Sequence, residues 1–176
     1  MADLRLRASD DHVARIAHEG DPVRAVVELI WNAIDAEAST VDVTLKRSES
    51  EAIDEVRVID DGHGIASAEV ESTSGRIGGS WKQRAEKSKN DKRTLHGKLG
   101  EGRLRALALG SRVTWSSRST SVAGEQEVVT ISGSRRERDR FTWEHRSASS
   151  NERTSGTTVA AYNEEQRSLS VLDAKD

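Results

Sequence analysis

The sequence predicts an α+β fold, with helices layered against a mixed, mostly antiparallel sheet. Three observations predict it. One strongly periodic helical segment starts at the only proline. A series of short alternating segments, bounded by turn residues, reads as strands. The 176 residues suit a single domain of ordinary size.

The elements follow in order. An early helix is read over Asp11 to His18. Asp21 suits an N-cap and Pro22 the first helical position, where a missing N–H costs nothing. From Val23 to Asp35 the pattern is helical. Val23, Val27, Ile30 and Ile34 fall at i, i+4, i+7 and i+11 as one apolar stripe. Because this helix is apolar almost all round, it is expected to be largely buried. Strands are read at Val41–Leu45 and Val56–Ile59, the second running into the glycine turn Asp60-Asp-Gly-His-Gly64. Residues 72–102 are rich in glycine and lysine and are read as a flexible lid. Arg103 to Leu109 is read as helical. Further strands are expected at Ser111–Ser116, Gln126–Ile131, Arg140–Glu144 and Thr157–Tyr162. The domain is set at 1–163, with a polar tail over 164–176.

Composition excludes several functions. The formal net charge is −3, too balanced for binding nucleic acid mainly through a basic surface. There is no cysteine, hence no disulfide framework or thiolate metal site. Five scattered histidines without paired spacing do not form a zinc site. No apolar run is long enough to cross a membrane, and the N-terminus lacks the apolar stretch of a secretory signal. A cytoplasmic location is expected. The mixed-sign run from Arg135 to Arg140 reads as a solvated hairpin.

Four segments carry candidate chemistry. Glu28, Asn32 and Asp35 fall within an arc of about 60° on one helix. Such groups on an apolar helix either face solvent or line a cavity that holds a cation or an activated water. In Asp60-Asp-Gly-His-Gly64, alternate glycines permit close backbone approach, and Asp60 at the strand end can accept a hydrogen bond. His63 is read as solvated. Gly97-Lys-Leu-Gly-Glu-Gly102 leads into a helix, where free N–H groups form an anion site. Its spacing fits neither the dinucleotide fingerprint nor a P-loop. Gly156-Thr157 opens a late strand.

Taken in order, E-x-x-x-N-x-x-D on a helix, D-x-G-x-G after a strand, a glycine-rich lid and a late G-T resemble the GHKL superfamily of ATPases. That superfamily includes DNA gyrase B subunits, the large heat-shock chaperone, MutL mismatch-repair proteins, MORC proteins and histidine kinases. The segment from Arg15 to Ala36 looks closest to the MutL and chaperone branches. Leu95-His96-Gly97 looks gyrase-like and Gly100-Glu101 looks MutL-like. The resemblance covers roughly residues 12–160.

The resemblance implies the Bergerat ATP-binding fold, a two-layer sandwich with helices on one face of the sheet. It implies ATP and Mg²⁺ as ligands. Glu28 would be the general base that polarises the attacking water. Asn32 would ligate Mg²⁺ through its amide oxygen, and Asp35 would act through water or in support. Asp60 would accept from the adenine amino group, helped by Thr157. Gly62, Gly64 and Ile65 would lie along the base. Gly97, Lys98, Leu99, Gly100 and Gly102 would hold the phosphates. Histidine kinases of the superfamily usually carry Asn where this chain has Glu28, which favours hydrolysis over phosphotransfer. A nucleotide-binding module with little hydrolysis, or a sensor or anti-sigma-type kinase, are the alternative functions. In gyrase-like and MutL-like relatives a lysine from a following domain completes the site, so a longer protein and a nucleotide-dependent homodimer are expected.

Overall fold

The computed structural model describes residues 2–5, 21–49, 51–73, 105–121, 123–138, 140–148 and 155–163. Strand β1 (Ala2–Arg5) is followed by helix α1 (Pro22–Asp35), strands β2 (Val41–Arg47) and β3 (Ile53–Asp60), and helix α2 (Ser67–Thr73). Strands β4 (Arg112–Thr120), β5 (Gln126–Ser134), β6 (Arg140–Ser147) and β7 (Gly156–Tyr162) complete the order. The seven strands form one sheet in the order β1-β6-β5-β4-β7-β3-β2. All six pairings are antiparallel. The α+β class stands as the sequence predicts, and the expected mixed sheet narrows to an antiparallel one among the described residues. Strand β1 and helix α2 go beyond the sequence reading. The expected helix over Asp11–His18, the bulk of the lid and the polar tail lie outside the described residues.

Register explains the core. Val58, Val159, Trp115, Ile131 and Trp143 lie side by side across five strands, all buried. The next row contains Val56, Ala161, Val113, Gly133 and Phe141. Both rows lie on one sheet face because side chains alternate along each strand. Ala25 and Leu29 of α1 and Val70 of α2 belong to the same buried cluster. The opposite face carries Arg57, Thr114, Ser116 and Glu144, all half-buried or exposed.

Helix α1 begins as the sequence predicts. Asp21 Oδ1 accepts from Val23 N at 2.9 Å and from Arg24 N at 3.2 Å. Its burial corrects the expectation. Pro22, Ala25, Leu29, Ala33 and Asp35 are the buried residues, whereas Val27 is 43% and Trp31 38% exposed. The aliphatic stripe Val23-Val27-Ile30-Ile34 faces away from the sheet, and the helix is not largely buried. Both sides of α1 are apolar, so periodicity alone could not choose between them. The small residues Ala25 and Ala33 allow the axis to approach β3, and that side is the one enclosed. The helix ends without glycine, with Glu37 taking a left-handed φ of 62° at the position where glycine is usual.

Of the helix expected over Arg103–Leu109, Arg105 and Ala106 are helical and turns follow. Residues 105–109 are all buried. Arg135 Nη2 donates to Leu107 O at 2.7 Å, so the run read as a solvated hairpin ties the β5–β6 connection to this turn.

Candidate functional site

At one end of the core face the apolar rows give way to a polar row. Asp60 of β3, Thr157 of β7 and Ser117 of β4 are in direct register on adjacent strands. All three are buried, so each needs partners to offset desolvation. Asp60 Oδ1 accepts from Gly62 N at 2.9 Å and from Thr157 N at 3.3 Å. Ser117 Oγ lies 2.8 Å from Thr157 Oγ1 and accepts from Ile65 N at 2.8 Å. Asp60, Thr157, Gly62 and Ile65 are therefore brought together at this end of the core face.

Burial pushes the Asp60 carboxyl above its ordinary value, against the lowering effect of the Gly62 and Thr157 N–H groups. Its neighbour behaves oppositely. Asp61 is held below its ordinary value, first by the Thr40 N–H and then by that of Ser39. Asp61 Oδ1 accepts from these at 2.9 and 2.7 Å, which ties the turn to the segment leaving α1.

The glycines of the turn have definite reasons. A Cβ on Gly62 would lie 2.7 Å from Ala36 O and 3.0 Å from Asp60 Oδ1. Gly64 has φ +74°, and its Cβ would overlap the Arg118 carbonyl oxygen. Both glycines let the turn press against the protein's own backbone, between the end of α1 and β4. The His63 N–H donates to Ala36 O at 2.9 Å, which fixes α1 relative to the turn.

Beyond the turn, Ser119 Oγ donates to Ile65 O at 3.1 Å. Glu127 Oε1 accepts from Ser67 N at 3.0 Å, placing a carboxylate at the start of α2. Ser117, Ser119 and Glu127 escaped the sequence reading. Their signal was present, because they occupy inward positions of strands whose other inward residues are apolar. His63 corrects the expectation of a solvated ring. It is half-buried, with Nδ1 2.7 Å from Gly64 O and Nε2 enclosed without a hydrogen bond. In the neutral ring Nδ1 is therefore the protonated nitrogen.

On α1, Glu28 and Asn32 are half-buried and Asp35 is 1% exposed. Glu28 and Asn32 flank the enclosed stripe Ala25-Leu29-Ala33, at the border between core and solvent. Gly97, Lys98, Leu99, Gly100 and Gly102 lie outside the described residues.

A family model described as histidine kinase-, DNA gyrase B-, and HSP90-like ATPase matches residues 21–157. The chain belongs to this ATPase family. The match starts at the cap of α1 and ends at Thr157, enclosing the polar row and the glycine turn. The chain is also 47% identical over 49 residues to the DNA mismatch repair protein MutL of Lactiplantibacillus plantarum. That alignment covers 28% of this chain and 7% of the MutL protein. The family's α+β architecture agrees with the antiparallel sheet and helix layer described above. No described helix is long and apolar enough to cross a membrane.

Proposed function

We propose that this chain binds ATP with its adenine against Asp60 and hydrolyses it in a Mg²⁺-dependent reaction. The observation that carries this reading is the state of the Asp60 carboxylate. Two backbone N–H groups hold Oδ1. Oδ2 takes neither of those bonds and is the oxygen left to accept from the adenine amino group. A fixed, desolvated acceptor loses little order on binding and discriminates strongly for a donor. Thr157, bonded to Ser117, would support the same edge of the base.

Family membership supports ATP as the ligand, and Glu28 supports hydrolysis. A half-buried carboxylate on the flank of α1 is suited to polarise water as a general base. The metal reading fits the donor set. The described residues contain no group of three or more His, Cys, Asp or Glu able to hold an ion. Magnesium would be held by the Asn32 amide oxygen, half-buried on the flank of α1, together with nucleotide oxygens, a pattern that suits this ion. When bound it would neutralise charge on the phosphates. Asp35, enclosed at the end of α1, would support Asn32 from behind. Gly97, Lys98, Leu99, Gly100 and Gly102 would close over the phosphates as an ordered lid. A nucleotide-dependent homodimer and a cytoplasmic setting complete this reading.

The test is a thermal-shift titration with a non-hydrolysable ATP analogue and Mg²⁺, on wild type and Asp60→Asn. Ligand at 100 times Kd adds about 2.7 kcal/mol. For a chain of this size that raises Tm by about 5–10 °C. A shift in wild type that is absent in Asp60→Asn supports the adenine pocket. Equal shifts in both proteins overturn it. In a phosphate-release assay, Glu28→Ala is expected to keep binding and lose turnover by about a hundredfold or more. Turnover equal to wild type would remove Glu28 as the base.

A further inference from the structure

Strand β2 ends the sheet, and among the described residues its outer side has no neighbouring strand. Every second residue of such an edge directs its N–H and C=O outward, where another strand can pair with them. Register with β3 assigns the β2 side chains to faces. Val41, Val43 and Leu45 stand beside Asp60, Val58 and Val56 on the core face. Asp42, Thr44 and Lys46 stand beside Ile59, Arg57 and Glu55 on the open face, and all three are exposed. Val43 is 43% exposed although its neighbour Val58 is buried. What Val43 lacks is a strand on its outer flank. The ladder is regular from Val41 to Lys46 and shifts only after it, so a stretch of ordinary strand length is open to pairing.

The charges of β2 select the partner. Exposed charges usually keep an edge strand from pairing, but on β2 they are self-complementary. When two copies meet antiparallel about a twofold axis at Thr44, Asp42 of each lies directly opposite Lys46 of the other. Val43 lies opposite Leu45 in the same register. Sliding the strands by two residues sets Asp42 against Thr44 or Ser48, and Lys46 against Thr40 or Thr44. Sliding by four sets Asp42 against Asp42 or Lys46 against Lys46, which is repulsive. One register therefore satisfies the charges and the apolar face together. Across the strand within one chain, Asp42 faces Ile59, and the Glu55 opposite Lys46 is already engaged by Arg57 Nη2 at 2.6 Å. Helix α1 packs on β3, one strand inside this edge. In a joined sheet the two α1 helices stand over strands three spacings apart, about 14 Å. Each helix is about 10–12 Å across with its side chains, so the Val43–Leu45 pairs lie in a narrow cleft between them.

We propose that β2 is a homodimer interface, through which two copies of this chain join their sheets edge to edge about a twofold axis at Thr44. It is distinct from the nucleotide-dependent homodimer of the reading above. It uses neither Glu28 nor the Asp60 carboxylate and needs no nucleotide.

The experiment is sedimentation equilibrium of the full 176-residue chain without nucleotide. The interface is small, so association is read over about 5–500 µM chain. A concentration-dependent dimer is expected. Asp42→Lys and Lys46→Asp should each weaken it by about tenfold or more, because each sets like charges opposite one another at both ends of the seam. The double variant Asp42→Lys/Lys46→Asp should recover association. So should a mixture of the two single variants, in which opposite charges meet again. Recovery excludes misfolding as the cause of the single losses. Amides of β2 should also gain hydrogen-exchange protection as chain concentration rises. A chain that stays monomeric across this range, single variants that associate as wild type does, or a double variant no better than the single ones would overturn the proposal. So would association that appears only with the ATP analogue.

Discussion

Asp60 and Asp61 are adjacent carboxylates with opposite electrostatics, and their pH responses should differ in sign. The Asp60 carboxyl is raised above 3.8 by burial. The folded state then holds that proton more tightly than the unfolded chain does. This contribution is present below the ordinary carboxylate range and is lost as pH rises through the raised value. Asp61 is lowered below 3.8 by the N–H groups of Thr40 and Ser39. Its contribution is present above the ordinary value and is lost as pH falls. In urea melts from about pH 2.5 to about pH 7, Asp60→Asn should gain on wild type as pH rises above the ordinary carboxylate range, whereas Asp61→Asn should lose on wild type as pH rises from the acid end towards that range and then run parallel to it. Parallel curves for all three proteins would remove the electrostatic account. Gly64→Ala should cost about 3 kcal/mol or more, since left-handed φ and backbone overlap act together. Recovery of a wild-type midpoint in that variant would mean that the turn has room it is not shown to have.

At the scale of elements, two contacts decide how the turn and α1 are held. The Asp21 cap satisfies two N–H groups at the start of α1. Asp21→Ala should cost about 1 kcal/mol, read as a lower urea midpoint with unchanged slope. Ser117 joins three elements, because its hydroxyl meets Thr157 of β7 and the Ile65 N–H leading into α2. Ser117→Ala leaves that N–H without its partner and should cost about 1–3 kcal/mol. Ser117→Thr keeps the hydroxyl and should recover part of the loss. Equal losses in both variants would show that packing, not the hydrogen bond, sets the cost.

At the scale of the molecule, the sheet order predicts a gradient of local stability. Strands β4, β5 and β7 each lie between two neighbours, whereas β2 is an edge with most of its residues exposed. Native-state hydrogen exchange should find opening of the β4 and β7 amides close to global unfolding, with β2 opening at lower cost. Uniform protection across all strands would contradict that gradient. The proposed adenine contact lies where β3 and β7 end together, a rigid base for binding. The helix carrying Glu28 and Asn32 is attached to it through His63, Asp61 and Gly62.

The sequence by itself determined the fold class, the start of α1, the strands on either side of the glycine turn and the family. Each rests on a local rule: a cap before proline, alternation by two, glycines at alternate positions. The α1 motif, the turn and Thr157 were legible as types at fixed spacing. Which face of α1 is buried was not, because Val27 and Ala25 both belong to apolar stripes and only the approach to β3 chooses between them. Ser117 was invisible as a partner because the register that sets it beside Thr157 joins residues 40 positions apart. Strand β1 was missed because its four residues acquire strand character only by pairing with β6. Tertiary structure decided what depends on long-range register: the polar row and the enclosure of His63. No local pattern fixes these, because their partners come from other strands and the desolvation that gives them meaning exists only once the sheet has formed.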